Sequence, residues 1–196
     1  MLEFLTGAGL ALSAGLNAYI PLLAIGLASR FLEFVQLPDA WAWLENEWVL
    51  GLLGVLLVIE FFADKIPVVD SINDWVQTVV RPAAGGLAFG SGSTSETLTV
   101  PDPAAFFESN QWVPIVTGVV LALGVHLLKM TARPILNAVT VGAAASAAST
   151  AEDAGSLLVS IMAILLPILV IISVPLLAWW AWAAVSRAKR RTRPSG

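Results

Sequence analysis

Two stretches of the chain, Phe4 to Ser29 and Ala154 to Ser186, run without a charged side chain. A helix needs about 20 apolar residues to cross roughly 30 Å of hydrocarbon, so each run predicts a spanning helix. Trp48 to Ile59, extended through Glu60, Phe61 and Phe62, predicts another, and Trp112 to Leu128, interrupted only by His126, a fourth. Two weaker segments follow the second and fourth spans: Trp75 to Phe89, which contains Arg81, and Pro134 to Thr150, rich in Ala, Gly and Ser. Each is close to the minimum for crossing, so each either spans or re-enters, and re-entry is tolerated only where protein or water covers the backbone. The pattern predicts an all-α, polytopic membrane helical bundle of about six membrane segments, two of which (75–89 and 134–150) are short, broken or re-entrant. One transmembrane domain covers 1–186, and a basic cytoplasmic tail follows at 187–196. The opening run lacks the positive start of a cleaved secretion signal and is too long for one, so it is read as retained.

Composition narrows the chemistry. Of 196 residues, 58% are hydrophobic and 12% charged, against about 25% charged in a soluble domain, and the mean hydropathy is +0.84. Most of the surface must therefore face lipid. Without cysteine there is no disulfide framework, thiolate nucleophile, iron–sulfur cluster or Cys-ligated zinc. The single His126 rules out sites needing two histidines, and a net charge of -4 argues against a nucleic-acid partner. No cofactor is expected.

Lys and Arg set the orientation, because cytoplasmic flanks carry their excess. With six crossings and the N-terminus inside, Lys65, Arg81, Lys129, Arg133 and five basic residues of the tail fall inside, and only Arg30 outside. Nine of ten basic residues then share one side, which predicts a multi-pass protein of the cell (inner or plasma) membrane with both termini cytoplasmic. The outward connections, 31–47 and 91–111, are acidic. Trp41, Trp43 and Trp48 point to a segment lying along the headgroup layer, and Gly90 to Pro103 is the best linker candidate.

A short internal echo runs through the chain. Arg81-Pro82 and Arg133-Pro134 each open a segment of small side chains, and proline biases its predecessor away from helix, so both arginines are expected at helix starts. Short-helix N-termini would then face the cytoplasm, as in the broken helices of transporters. The competing reading is close helix packing at Gly85, Gly86 and Gly142 to Ala145, and at Gly7, Gly9, Ser13 and Gly15 in the first span. Asn17, an amide in mid-membrane, must face protein or a cavity.

Glu60 and Asp64 share a helical face, as do Asp70 and Asp74, while His126, Lys129 and Arg133 fall on one stripe. Charges of both signs therefore converge at the inner membrane boundary, where ionisable groups are functional candidates by default. The alternative is that acids and bases pair to lock helix ends, with His126 an ordinary hydrogen-bonded histidine rather than a proton-linked switch.

At these residues the sequence resembles a bacterial membrane family, domain of unknown function 4126. The resemblance rests on Leu12-Ser13-Ala14-Gly15-Leu16-Asn17-Ala18-Tyr19-Ile20-Pro21 and on Glu60-Phe61-Phe62-Ala63-Asp64-Lys65-Ile66-Pro67-Val68-Val69-Asp70-Ser71 with Asp74. Arg81-Pro82-Ala83-Ala84-Gly85, His126 with Lys129 and Arg133, and Ser149, Glu152 and Asp153 complete it. It implies a membrane protein with a polar motif and no assigned activity.

Three functions compete. The first is a small transporter or channel-like protein for an anionic solute or lipid headgroup, with a binding site built from Asn17, Glu60, Asp64, Lys65, Asp70, Asp74, Arg81, His126, Lys129 and Arg133. The second is a non-transporting structural or assembly protein whose charges staple helix ends. The third, a lipid-phosphate enzyme holding Mg²⁺ on Asp64, Asp70 and Asp74, lacks the spacings of known hydrolase and nucleotide motifs, so no enzyme is expected. Membrane lipids and further copies of the chain are the expected partners, because 20.7 kDa encloses little interior for a private pathway.

Overall fold

Asn17 divides the first uncharged run in two. The computed structural model describes residues 2–65, 67–93, 112–140, 144–172, 175 and 179, with the backbone alone at 67, 68, 70, 71, 134–140, 144 and 145. These residues form helices α1 (Leu2–Leu16), α2 (Tyr19–Phe31), α3 (Glu47–Ala63), α4 (Pro67–Gly92), α5 (Trp112–Thr140) and α6 (Ala144–Leu165), with 3₁₀ turns at Asp39–Glu45 and Pro167–Leu169 and no strand among them. The expected all-α class holds at this level.

The Asn17 side-chain oxygen accepts the backbone N–H groups of Tyr19 at 3.0 Å and Ile20 at 3.2 Å. Pro21, next in α2, has no N–H to satisfy, so the first turn of α2 needs little from its surroundings. The chain reverses here. Gly7 of α1 packs against Phe89 and Ser93 at the close of α4. At the far end of α2, Gly26 packs against Leu44, whose 3₁₀ turn also lays Trp41 on Gly90 of α4. Both outer ends of α1 and α2 therefore lie at one end of the bundle and Asn17 at the other. Phe4 to Ser29 is thus not one crossing, as its lack of charge had indicated, but a helical hairpin with arms of about 22 and 20 Å by the rise per residue. A cap supplied by a side chain within the run makes the reversal affordable in an apolar setting.

The two weak segments are corrected as well. Residues 75–89 are the middle of α4, which continues through Pro82. Arg133 lies inside α5, which ends at Thr140, and residues 134–150 are shared between α5 and α6, with 141–143 outside the described residues. Neither Arg81 nor Arg133 starts a helix. Tertiary contacts override the bias against helix before proline: Gly85 of α4 meets Gly118 and Ala122 of α5, and Gly86 meets Ile115 and Val119. The long terminal run is also split, because α6 begins at Ala144, ten residues early, and gives way to the 3₁₀ turn at Pro167. Trp179 is exposed; Trp180, Trp182, the basic tail, Gly142 and most of the Gly90 to Pro103 linker lie outside the described residues, as do the Ala144 and Ala145 side chains.

Two helices, over Trp112–Arg133 and Ser146–Leu165, are long and apolar enough to cross a membrane, and the Asp39–Glu45 turn with α3, bent by 61°, makes a third if taken as one span. These apolar helices are consistent with a membrane protein. Among the described residues, six crossings are not present by that measure, since α1 and α2 are short and α4 carries Asn73, Asp74, Gln77 and Arg81. Helix α1 forms the centre, packed on α4, α5 and α6, with Leu10, Ala14, Ala88, Ala122 and Ala163 in the core. Helix α3 lies at the edge, and the one side chain it buries is a carboxylate, Glu60.

Candidate functional site

The turn of the α1–α2 hairpin, the close of α3, the middle of α4, the second half of α5 and the first half of α6 meet at one end of the bundle. There the charged side chains are buried. Arg81 is wholly buried, and its guanidinium donates to Glu60 Oε1 at 2.8 Å and approaches Asp64 Oδ2 at 3.8 Å. Its other terminal nitrogen points at His126 Nδ1, 3.3 Å away. An arginine N–H can only donate, so Nδ1 accepts and the imidazole is neutral, with its proton on Nε2, 3.1 Å from Thr78 Oγ1. Thr78 passes its own proton to the Asp74 carbonyl at 2.8 Å. His126 is thereby hydrogen-bonded at both ring nitrogens.

Asp64 is the second hub. Its Oδ2 faces Arg133 at 3.2 Å and Lys129 at 3.4 Å, while Oδ1 accepts from Asn73 at 2.7 Å. Glu152 of α6 closes the network, binding Lys129 at 2.9 Å and Arg133 at 2.7 Å through Oε2. Asp74 lies 4.0 Å from Arg133. Asn17 joins the hairpin to this network by donating to Asp153 Oδ1 at 3.0 Å. Below it, Ser13 of α1 meets Ser156 and Ser160 of α6, each hydroxyl pair at 2.7 Å. Burial makes these contacts matter: a charge taken out of water is strongly destabilising unless paired, and removing one partner strands the other.

Of the expected site residues, Asn17, Glu60, Asp64, Asp74, Arg81, His126, Lys129 and Arg133 come together. Lys65 does not join them. It turns back on its own helix, donating to the Phe61 carbonyl at 3.1 Å and lying over the Phe61 ring. The Asp70 side chain lies outside the described residues. Charge patterning passed over Gln77, Ser156 and Ser160; Ser149, Glu152 and Asp153 are marked in the sequence only by the family resemblance, and Ser13 by it and as a packing position. A signal for the α6 group existed: Ser149, Asp153, Ser156 and Ser160 recur at helical spacing within an otherwise apolar stretch.

The balance of the site differs from its first appearance. Five carboxylates (Glu60, Asp64, Asp74, Glu152, Asp153) surround three cationic heads (Arg81, Lys129, Arg133), each of which already engages a carboxylate. Among the described residues, Glu60 Oε2, Asp74 Oδ1, Gln77 Oε1 and Asp153 Oδ2 are buried without a hydrogen bond, as are the Arg81 Nε–H, which can only donate, and the hydroxyl of Ser149, which can donate or accept. Acceptors are in surplus. Nor does the α2 N-terminus offer free amides to an anion, since Asn17 holds those of Tyr19 and Ile20 and Pro21 has none. Among the described residues there is also no group of three His, Asp or Glu arranged to hold a metal ion.

Comparison with curated proteins and with solved structures returns no match. The family described as "Domain of unknown function (DUF4126)" matches residues 4–187, which takes in the charged end and, but for the first two residues of α1, every helix described above. The chain belongs to the DUF4126 family.

Proposed function

We propose that the protein is a small membrane transporter or channel-like protein whose working site is the buried charged cluster, and that the species it handles is a proton or small cation rather than an anion. The supporting observation is the surplus of acceptors: among the described residues four buried acceptor oxygens lack a hydrogen bond, against one N–H and one hydroxyl. Buried polar atoms in a native protein find partners in protein, water or ions, and this set calls for a donor or a positive charge. The reversal at Asn17 adds to the reading, because irregular backbone at membrane depth is tolerated where it lines a polar interior. In this reading the protein sits in the cell membrane. The charged end, with Lys65, Lys129 and Arg133, faces the cytoplasm, the acidic 31–47 connection faces out, and the hairpin carries residue 2 out with it, in place of the cytoplasmic N-terminus expected from six crossings; copies associate through apolar flanks such as that of α3.

The test is flux into proteoliposomes, read with a pH-sensitive dye and with sodium, potassium and ammonium as alternatives. Parent protein is expected to raise flux of one of these above protein-free vesicles, and Glu60→Gln to abolish it while the protein still folds. Phosphate or chloride flux with none of the cations would overturn the sign of the assignment.

The second reading, a non-transporting staple, is favoured by one observation: every cationic head in the cluster already engages a carboxylate, tying α3, α4, α5 and α6 together. It predicts that no solute raises the melting temperature, since only a ligand favouring the folded state does so.

A further inference from the structure

Asp153 of α6 differs from the other carboxylates of the charged end. Among the described residues, Glu60, Asp64, Asp74 and Glu152 each lie within ion-pair distance of Arg81, Lys129 or Arg133, and Asp153 lies within that distance of none. Its one hydrogen bond comes from the neutral Asn17 amide, 3.0 Å from Oδ1. That amide has a fixed sense, because the Asn17 oxygen is already taken by the N–H groups of Tyr19 and Ile20. Asn17 therefore donates to Asp153 and cannot accept from it. Oδ1 is an acceptor whatever the charge of the carboxyl, so only Oδ2 is open to a proton. Oδ2 is buried with no hydrogen-bond partner. One turn earlier on the same face of α6 stands Ser149, wholly buried, its hydroxyl also without a partner. A hydroxyl can donate to an ionised Oδ2 and accept from a protonated one.

The other open acceptors are differently placed. Glu60 Oε2 belongs to the same ion pair as the open Arg81 Nε–H, and the open Asp74 Oδ1 is the atom 4.0 Å from Arg133. Each has a guanidinium at hand, and Gln77 does not titrate. The charged groups that act on Asp153 from neighbouring elements are Asp64 and Lys65 at the close of α3 and Lys129 of α5, of mixed sign and none at ion-pair distance. A buried carboxylate without a cation is costly, and binding a proton removes its charge. A divalent metal ion would call for a shell of roughly six oxygens, and among the described residues no group of three His, Asp or Glu is arranged to hold one. We propose that Asp153 is the proton-binding carboxyl of the cluster, holding the proton on Oδ2 with the Ser149 hydroxyl as its partner. The proton comes from water, forms the Oδ2–H bond and returns to water when that bond breaks, while Oδ1 stays on Asn17. This rests on the reading of the cluster as a proton or cation site and narrows it to the proton.

The test is infrared difference spectroscopy of the full chain in nanodiscs, titrated with pH in water and in heavy water, beside flux into proteoliposomes. The parent is expected to show a carboxylic-acid carbonyl band, shifted in heavy water and fading as the pH rises, that Asp153→Asn lacks. Asp153→Asn is neutral and shaped like the protonated acid, so it still accepts from Asn17, and it is expected to lower proton flux to that of protein-free vesicles. Ser149→Ala is expected to keep the band and shift its frequency, because the acid loses its hydroxyl partner. If melting curves show that Asp153→Asn fails to fold, the Ser149→Ala shift assigns the band in its place. Parent and Asp153→Asn spectra that coincide overturn the proposal, as does a band that survives Asp153→Asn and disappears in Glu60→Gln or Asp74→Asn. Sodium or potassium flux without the band overturns it while leaving the transport reading intact. The band without flux of any cation supports the proton site and overturns the transport reading alone. A band unmoved by Ser149→Ala overturns the part given to Ser149.

Discussion

Asn17 and Pro82 occupy opposite situations in the chain, and each behaves against its local surroundings. Asn17 sits in an uncharged run long enough to cross a bilayer, and there the chain breaks and turns back. Pro82 follows an arginine in a polar stretch, and there α4 continues. The difference lies in who satisfies the backbone. At Asn17 one side-chain oxygen takes two of the amides that a new helix start exposes, and Pro21 removes a third, so reversal costs little even away from water. At Pro82 the lost helical hydrogen bond is outweighed by contacts further out, with Gly85 and Gly86 seated on α5 and Arg81 tied into the charged network. In a membrane-like interior, helix ends are set by where polar atoms find partners more than by propensity.

The largest expected effects are on the Pro82 side, where a buried ion pair is at stake. Arg81→Leu strands Glu60, which is itself buried, and is expected to destabilise the protein by about 3–5 kcal/mol, read as the loss of helical signal on heating in detergent. The paired change Arg81→Leu with Glu60→Leu is expected to recover much of that loss, because it removes both charges together. A pair that remains as unstable as the single variant would mean that Arg81 acts chiefly through Asp64 and His126. Next comes Gly118→Leu. A Cβ at Gly118 would collide with the Gly85 carbonyl and the Phe89 side chain, so α4 and α5 must separate, at a cost of about 1–3 kcal/mol or more. If Gly118→Leu is tolerated, close approach is not what carries α4 through its proline.

The same contrast explains what the sequence could and could not reveal. Helical class, apolar flanks and most of the charged cluster are legible, because periodicity places Glu60 beside Asp64 and His126 beside Lys129 and Arg133, and buried charges have few places to go. The hairpin is not legible from hydropathy, since Phe4 to Ser29 has the same apolar content whether it runs straight or folds back. Its mark is Asn17 followed four residues later by Pro21, a cap with a proline in the first turn, and that mark is local while the uncharged run is long. The ligand charge proposed above is not legible either. Arg81 and Arg133 suggest an anion when counted alone. Glu152 and Asp153, which reverse the balance, sit among alanines and serines at the head of an apolar helix, where nothing in their spacing ties them to residues 64 or 133.

On the Asn17 side the effects are smaller and more specific. Asn17→Ala removes the cap on Tyr19 and Ile20 and the donor to Asp153, and a lost cap costs about 0.5–2 kcal/mol, measured as a fall in melting temperature. Asn17→Asp is the sharper variant. It keeps an acceptor for the two amides but sets a second carboxylate against Asp153, so its stability is expected to match the parent in acid and to fall below it as the pH rises and both carboxyls ionise. A uniform loss across pH would indicate that Asn17 acts on the turn alone, without coupling to Asp153.

The smallest change is expected at Pro82→Ala. The substitution returns an N–H to the carbonyl of Thr78, four residues back, which favours α4, and it removes about two methylenes from a buried position, which at about 0.8 kcal/mol each works against it. The two contributions nearly offset, so stability should move by less than about 1 kcal/mol and helical content should not change. That near-neutrality is what distinguishes a proline carried by its surroundings from one that shapes them. A loss of several kcal/mol would show that α4 needs the bend proline imposes, and that Arg81 reaches Glu60 because of Pro82 rather than in spite of it.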